Sequence, residues 1–324
     1  MKSSSLVKEA VPLLNRYPAD MPVTPLVPLQ LSGEAPVIWC KLEFLNPSGS
    51  TKDRIARYII GNAFERGQVR PGGTVIEASS GSTSIAMALV CAQLGLRFLA
   101  VIPEGVSNER ALLIRAYGGT VRFSSREAGI RGCIRESERL AAETGAFLPR
   151  QFSNPENVEA HERGTAREIL AQIPGHRVDA VVSGVGTGGT LVGLMRGCDT
   201  EHHVQRAFLA RPIDPGGTQD HEHCSFSCRI PGVMECVSSL FRESDYLNLT
   251  TIEVSGEEAL ETTRALNRMG FPVGPSSGLN YRAAMIAAET IGPARIVTVF
   301  PDRMERYFST DLFKPLAAPP DHRT

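Results

Sequence analysis

The stretch "TVIEASSGSTSIAMALVCAQLGLRFLAVI" (74–102) contains the pattern that decides the fold. An apolar run of strand length is followed by a serine-rich turn, an apolar segment with helical spacing, and a second apolar run. The region 84–103 is interrupted by Gln93, Gly95 and Arg97, so it is too broken for a membrane span. It predicts a buried helix followed by a buried strand, as in one strand–helix–strand unit of a sheet.

The same alternation of strand-like and helical patterns continues along the chain. Six apolar runs predict buried strands: 74–79, 97–102, 120–125, 180–185, 206–211 and 294–300. Between them lie helical patterns, several of which end on glycine: "DRIARYIIGNAFERG", "SIAMALVCAQLG", "NERALLIRAYGG" and "EEALETTRALNRMG". We therefore expect an α/β protein with one or two mostly parallel sheets.

Composition narrows the class of protein. A length of 324 residues suits about two domains, and 42% hydrophobic with 21% charged residues suits a globular protein with a real core. The net charge of −1 and 6% aromatic residues argue against a nucleic-acid binder. The start "MKSSSLVKEAVPLL" lacks the features of a signal peptide, and seven cysteines, an odd number, indicate reduced thiols. We expect a cytoplasmic protein with no membrane or nucleic-acid partner.

The turn "SGVGTGGTLVG" (183–193) joins an apolar strand to a segment that is expected to be helical. Three glycines, Gly186, Gly188 and Gly189, let the backbone approach a ligand closely, and free amides at a helix start favour a phosphate. Thr187 and Thr190 add hydroxyl donors. The turn therefore predicts a phosphate site.

The same turn also satisfies the dinucleotide pattern G-x-G-x-x-G through Gly184, Gly186 and Gly189. Asp214, after the next strand, stands where an acidic ribose partner would be, although Pro212 intervenes. A nicotinamide-dependent oxidoreductase is therefore one alternative, and a merely tight turn is another.

Two further turns are rich in serine. In "EASSGSTSIAM" (77–87), hydroxyls and free amides form a cradle for a carboxylate or phosphate, unless one serine simply caps the helix. The hydroxyl residues there are Ser79, Ser80, Ser82 and Thr83. In "VGPSSGLN" (273–280), Ser276 and Ser277 are expected to precede a helix, with capping as the default role.

The loop "NPSGSTKDRIA" (46–56) places Lys52 where a helix begins. A lysine there either neutralises a phosphate or supplies an amine for covalent chemistry. Asp53 follows it and no glycine directly precedes it, so the segment is not a nucleotide P-loop. An exposed lysine at a helix start is the structural alternative.

Together these segments resemble the cysteine synthase and cystathionine β-synthase family of fold-type-II pyridoxal-phosphate enzymes. The resemblance extends from "TPLVPL" (24–29) to Thr310. It is carried by "KLEFLNPSGSTKDRIA", "EASSGSTSIA", "QFSNPENVEAH", "SGVGTGGTLVG", "VGPSSG" and "VFPDRMERYFST".

The resemblance implies a role for each segment. Lys52 would form the Schiff base with pyridoxal 5'-phosphate and later act as a general base, Ser82 would stand near the ring hydroxyl, and Ser276 would lie under the pyridine nitrogen. The phosphate-binding residues would be Gly186, Thr187, Gly188, Gly189 and Thr190. The substrate-binding residues would be Ser79, Ser80, Gly81, Thr83 and Gln151.

The resemblance also implies an architecture. We expect a homodimer of two-domain subunits built on mostly parallel, three-layer α/β/α sheets. Residues 45–155 would form a small domain with the lysine and the substrate-carboxylate loop. Residues 1–44 and 156–324 would form a large domain that binds the cofactor phosphate.

Three departures from the family pattern affect the expected reaction. Ser82 replaces the usual asparagine, and Arg303 and Met304 replace a common serine and glycine, which would bring bulk near the site. The motifs look most like the L-cysteine desulfhydrase branch, which eliminates sulfide from cysteine through an aminoacrylate. Cysteine synthase-like replacement on O-acetylserine or O-phosphoserine is the alternative, and a non-catalytic member is a further one.

The segment "DHEHCSFSC" (220–228) contains four residues that could bind zinc: His221, His223, Cys224 and Cys228. Their spacing matches no standard zinc pattern, so we expect a solvated loop and no metal. Other thiols, such as Cys91 in an apolar helix, are interpreted as core residues.

Overall fold

The computed structural model describes residues 22–199, 206–213, 230, 233 and 237–314. Within these ranges the strands are β1 (Leu26–Leu29), β2 (Ile38–Lys41), β3 (Thr74–Ala78), β4 (Arg97–Pro103), β5 (Thr120–Ser124), β6 (Ala180–Ser183), β7 (Arg206–Ile213), β8 (Leu249–Ser255) and β9 (Ile296–Val299). They form two sheets. The zinc-like segment 220–228 lies outside the described residues.

Helices connect most of these strands. They are α1 (Lys52–Glu65), α2 (Ser82–Gln93), α3 (Asn108–Ala116), α4 (Gly129–Thr144), α5 (Glu156–Ala160), α6 (Arg167–Gln172), α7 (Gly189–Cys198), α8 (Gly256–Arg268) and α9 (Pro275–Ile291). A π-helical turn, His161–Ala166, joins α5 to α6. No helix of the described part of the chain combines the length and apolarity needed to cross a membrane.

The larger sheet has six strands in the order β1-β2-β9-β6-β7-β8. Only β1 and β2 pair antiparallel, and the other neighbours are parallel. Side chains alternate between its two faces, as the pleat requires. Ala180 and Val182 pack in the cluster with α8 and α9, whereas Val181 packs with α7. This sheet is therefore the middle of three layers.

The smaller sheet has the parallel order β3-β4-β5, with Phe147 bridged to Val75 beside β3. Phe98 and Ala100 of β4 pack with helices α1 to α3 on one face. Val101, the residue of β4 that follows Ala100, packs with α4 on the other face. Three layers again result.

The expectation of mostly parallel α/β sheets is confirmed. The structure corrects one strand: 120–125 was predicted to be buried, but β5 is an edge strand with Phe123 46% exposed. The small sheet lies entirely within 45–155, and the two domain boundaries stay a prediction. Cys91 is buried in α2, as interpreted from its apolar surroundings.

Candidate active site

A cleft opens where the carboxyl ends of strands from both sheets meet, the usual ligand position in α/β folds. Its volume, counted together with the open solvent at its mouth, is about 970 Å³. Lys52, the serine-rich turn after β3, the glycine turn after β6 and the start of α9 all contribute to its lining. Segments that are far apart in sequence therefore converge on one site.

Lys52 lies in this cleft because the loop before α1 is pinned against the chain that follows β9. The Thr51 amide donates to the Pro301 carbonyl at 2.8 Å, and the backbone of Ser50 pairs with that of Asp302 in an isolated antiparallel β-bridge. Inside the loop, the Ser48 amide donates to the Asp53 carboxylate at 2.9 Å, and the Ser48 hydroxyl donates to the same group. The lysine is thus fixed at the first position of α1.

The electrostatic surroundings of Lys52 suit an amine that exchanges protons. Burial lowers the pKa of the Lys52 amine, and the nearby Asp302 carboxylate acts in the opposite direction. Asp302 accepts hydrogen bonds from the Tyr307 hydroxyl at 2.7 Å and from the Ser82 hydroxyl at 3.3 Å. Its other oxygen is buried without a partner among the described residues. A neutral amine is therefore easier to reach, with a carboxylate close by for its charged form.

Two residues beyond Lys52, α1 is anchored by a buried network of charges. Arg54 pairs with Glu43 at 2.6 Å and with Glu168 at 2.6 Å, and Lys41 pairs with Glu168 at 2.7 Å. Although burial opposes it, Arg54 holds the pKa of Glu43 at about 2. Two cations and two carboxylates balance one another, and they hold α1 against β2 and α6.

The glycine turn leads directly into α7, which begins at Gly189. The first amides of a helix have no intrahelical acceptor, so they are available to a phosphate. Gly188 has φ +87° and a Cβ there would lie 2.4 Å from Cβ of Phe241. A Cβ on Gly189 would lie 1.9 Å from Oδ1 of Asn157. Both positions require glycine.

Two buried side chains support this turn from behind. Nδ2 of Asn157 donates to the Gln151 carbonyl at 2.7 Å and to the Thr187 hydroxyl at 3.0 Å. His161, in the π-helical turn, is 3.3 Å from the Thr190 hydroxyl through Nε2 and 2.9 Å from the Thr165 hydroxyl through Nδ1. Burial, with the Lys52 charge, lowers the pKa of His161 to about 3. This histidine is therefore neutral.

The serine-rich turn is held by one of its own members. The hydroxyl of Ser79 accepts from the Gly81 amide at 3.0 Å and the Ser84 amide at 3.2 Å, and it lies 2.6 Å from the Ser84 hydroxyl. Ser79 is therefore internal to the turn. Ser80, Ser82 and Thr83 line the cleft instead.

Gln151 connects the serine turn to the rest of the site. Its side chain accepts from the Thr83 hydroxyl at 2.6 Å and donates to the Ala78 carbonyl at 2.6 Å. The backbone amide of Gln151 donates to the Glu77 carboxyl group at 3.1 Å. Burial raises the pKa of the Glu77 carboxyl to about 8, despite these hydrogen bonds.

The start of α9 closes another side of the cleft. Ser276 lies in the first turn of this helix, which begins at Pro275, so the expectation that it precedes the helix is wrong. Asn280, one turn later, accepts from the Gly184 amide at 2.7 Å and donates to the Val299 carbonyl at 2.8 Å. Asn280 therefore ties the glycine turn to β9.

Most of the residues chosen from the sequence meet in this cleft. Those that line it are Lys52, Ser80, Ser82, Thr83, Gln151, Gly186, Thr187, Gly188, Thr190 and Ser276. Three do not line it: Ser79, Gly81 and Gly189. They shape the two turns from within, and their proposed binding roles stay predictions.

Arg303 and Met304 do not line the cleft either, so they do not bring bulk into it. The Arg303 side chain turns away to pair with Glu305 at 2.6 Å. The lining instead includes residues that the sequence analysis did not select, among them Arg110, Asn280, Asp302 and Tyr307. Arg110, within α3, and Asp302, after β9, carry no local signal, because their neighbours in the cleft come from distant segments.

The residues present fit pyridoxal phosphate. The start of α7 and the Thr190 hydroxyl can hold the phosphate, Lys52 offers an amine, and Ser276 offers a hydroxyl to the ring. Buried hydroxyl and carboxylate oxygens in the cleft wall, on Thr51 and Asp302, lack partners among the described residues, which indicates room for a polar group.

Comparisons with known proteins agree with this geometry. Residues 20–302 match the family model described as "Pyridoxal-phosphate dependent enzyme". A cysteine synthase of Staphylococcus aureus is 36% identical over 302 residues, which are 90% of this chain and 94% of that protein.

Solved structures give the same result. An O-ureido-L-serine synthase matches with a TM-score of 0.82 and 33% identity, covering 95% of this chain and 96% of that one. A hydrogen sulfide-producing enzyme of Fusobacterium nucleatum matches with a TM-score of 0.83 and 32% identity, covering 95% of this chain and 92% of that one.

Proposed function

The chain belongs to the family of pyridoxal-phosphate dependent enzymes, and we propose that it eliminates the β-substituent of cysteine or a related β-substituted alanine. The observation that carries this proposal is the meeting of three elements in one cleft. They are the amine of Lys52, the phosphate-binding start of α7, and the hydroxyl-rich turn 79–83. The broader activity, elimination or replacement on a serine derivative, is common to the similar enzymes.

When bound, pyridoxal phosphate would supply an electron-withdrawing ring that makes the α-proton of the substrate acidic. The start of α7 and Thr190 would hold its phosphate. Ser80 and the backbone amide of Thr83 would bind the substrate carboxylate, and Gln151 keeps Thr83 in place by accepting from its hydroxyl.

Lys52 moves the proton in this proposal. Its amine, made less basic by burial, takes the proton from the α-carbon and holds it as an ammonium. The electron pair left behind forms the α–β double bond as the β-substituent departs with the electrons of its own bond. Asp302 stabilises the ammonium that results. Because Ser276 is a neutral hydroxyl, the pyridine nitrogen beside it stays largely unprotonated, which suits chemistry at the β-carbon.

Ser82 favours elimination over replacement. Its hydroxyl donates to Asp302, so the short side chain is drawn toward that carboxylate. The space that an asparagine would fill is then open to water, which can divert the reaction to pyruvate and ammonia. Cysteine synthase-like replacement on O-acetylserine or O-phosphoserine is the second candidate, favoured by the 36% identity to a cysteine synthase.

Product analysis tests the proposal. We expect the purified protein with pyridoxal phosphate to release sulfide and pyruvate from L-cysteine. With O-acetylserine or O-phosphoserine and saturating sulfide, we expect pyruvate to exceed cysteine. A ratio of pyruvate to cysteine near zero would overturn elimination and leave replacement.

Lys52→Ala is the matched loss-of-function variant. We expect it to keep its fold and to lose turnover, while Lys314→Ala, at an exposed lysine, keeps full activity. Borohydride reduction of the loaded protein, followed by peptide mapping, should place the cofactor label on Lys52. Full activity in Lys52→Ala would contradict the assignment.

We also propose that the protein is a homodimer with a small domain at 45–155. Light scattering should then give about twice the subunit mass of 35.0 kDa. A single subunit mass at micromolar concentration would contradict the dimer.

A further inference from the structure

Arg110 is a buried cation in the cleft that the proposed chemistry does not use. It is 4% exposed and lines the cleft beside the serine-rich turn. Its Nη1 donates to the Ser80 carbonyl at 3.0 Å. Its aliphatic stem covers Gly81 so closely that a Cβ on that glycine would lie 2.3 Å from Cδ of Arg110. The arginine is thus part of the wall that this turn forms.

The guanidinium has unused hydrogen-bonding capacity. Its Nε is buried without an acceptor among the described residues. Its charge lies 5.2 Å from the centre of the Tyr307 ring, a cation–π contact. No ion pair to a carboxylate occurs within the described ranges. A buried cation without a carboxylate partner destabilises the folded protein unless an anion binds beside it.

The neighbouring groups indicate where an anion would bind. At the edge of the Tyr307 ring, the Tyr307 hydroxyl donates to Asp302, and Ser82 donates to the same carboxylate. An anion near Asp302 would be repelled, whereas one beside the Ser80 hydroxyl and the first amides of α2 would meet donors and the Arg110 charge. The favourable anion position is therefore the substrate-carboxylate turn.

We propose that Arg110 binds the α-carboxylate of the amino-acid substrate and makes the site specific for a free carboxylate. This inference rests on the proposed function, because it names how the substrate of that same site is recognised. The arginine supplies the full charge that serine and threonine hydroxyls lack. Charged hydrogen bonds contribute more than neutral ones, so neutral analogues should bind poorly.

The test is binding of L-alanine and L-alaninamide to the loaded enzyme, measured by calorimetry. Neither compound has a leaving group, so affinity is measured without turnover. In Arg110→Met we expect L-alanine to bind about 10- to 100-fold more weakly, as for loss of a charged hydrogen bond. L-Alaninamide, which has no carboxylate charge, should change by less than about 3-fold on the same grounds.

Two further variants keep the test decisive if Arg110→Met does not fold. Arg110→Gln is a second neutral replacement that retains a donor, and it should also lose the preference for the acid. Arg110→Lys keeps the charge and should retain most of that preference. Arg115→Met, at an exposed arginine on the same helix, is the matched control and should change neither affinity.

Kinetics separate a binding role from a structural one. We expect Arg110→Met to raise KM for O-acetylserine far more than it lowers kcat. If the acid and the amide weaken equally, Arg110 only holds the Ser80 turn and the inference is wrong. The inference is also wrong if Arg110→Met raises the KM for O-phosphoserine much more than the KM for O-acetylserine, since Arg110 would then bind the β-phosphate. Absence of turnover in the wild type would instead refute the proposed function.

Discussion

Replacement of His161 by glutamine should remove a large part of the protein's sensitivity to acid. His161 is fully buried beside Thr190. Burial is the largest cause of its lowered pKa, the charges of Lys52 and Arg54 lower it further, and Glu43 opposes them. The folded protein therefore keeps a neutral histidine down to about pH 3, against 6.5 for an ordinary histidine.

The direction in which the free energy of unfolding changes with pH follows from proton binding. Between pH 6.5 and 3 the unfolded chain binds a proton at His161 that the folded protein does not bind, so acid favours unfolding. The stability contribution is complete above pH 6.5 and is lost as the pH falls toward 3. At pH 5 the unfolded histidine is mostly protonated, which costs the folded state about 2 kcal/mol relative to pH 8.

The assay is urea unfolding of the cofactor-free protein, followed by circular dichroism, at pH 5 and pH 8. We expect the difference between the two unfolding free energies to be about 2 kcal/mol smaller in His161→Gln than in the wild type. His176→Gln replaces an exposed histidine and should leave that difference unchanged. Equal pH dependence in His161→Gln and the wild type would refute the buried neutral histidine.

Three further changes test other parts of the site. Gly188→Ala places a Cβ against Phe241 at positive φ and should weaken cofactor binding at least about 10-fold in an absorbance titration of the apoprotein. Glu168→Gln leaves Arg54 with less negative charge around it and should lower the free energy of unfolding by about 3 kcal/mol in urea. Ser82→Asn should shift products from pyruvate toward cysteine under saturating sulfide, because the longer side chain fills the space open to water.

Each of these changes has a control or a contradicting result. Gly145→Ala also has positive φ, but nothing surrounds it, so it should leave cofactor affinity unchanged. Glu143→Gln removes an exposed ion pair and should change stability by less than about 1 kcal/mol. An unchanged product ratio in Ser82→Asn would show that this side chain does not control the partition.

Local sequence signals predicted the parts of the site that depend on turns. Lys52 at a helix start and the glycine run before α7 are each encoded within about ten residues, by capping and backbone requirements. The structure places both as expected. Burial of β5 was predicted wrongly, because an apolar run does not show whether a strand lies at the edge of its sheet.

The remaining site residues depend on sheet order, which local patterns do not contain. Asp302 reaches Lys52 because β9 lies between β2 and β6, strands that are distant from it in the chain. Asn157 likewise supports the glycine turn only once α5 packs on α7. Such residues look like ordinary polar positions until the topology is known.

This dependence on topology explains why the end of β9 has so much influence on the site. The short segment after it contacts the lysine loop through Pro301 and Asp302, and it contacts the serine-rich turn through Asp302. Tyr307, on the 3-10 turn that follows, packs on Arg110, the arginine that covers the serine-rich turn. One segment thus sets the distance between the Lys52 amine and the serine-rich turn. Since these contacts share Asp302 and Tyr307, changes on the two sides of the cleft should not be energetically independent.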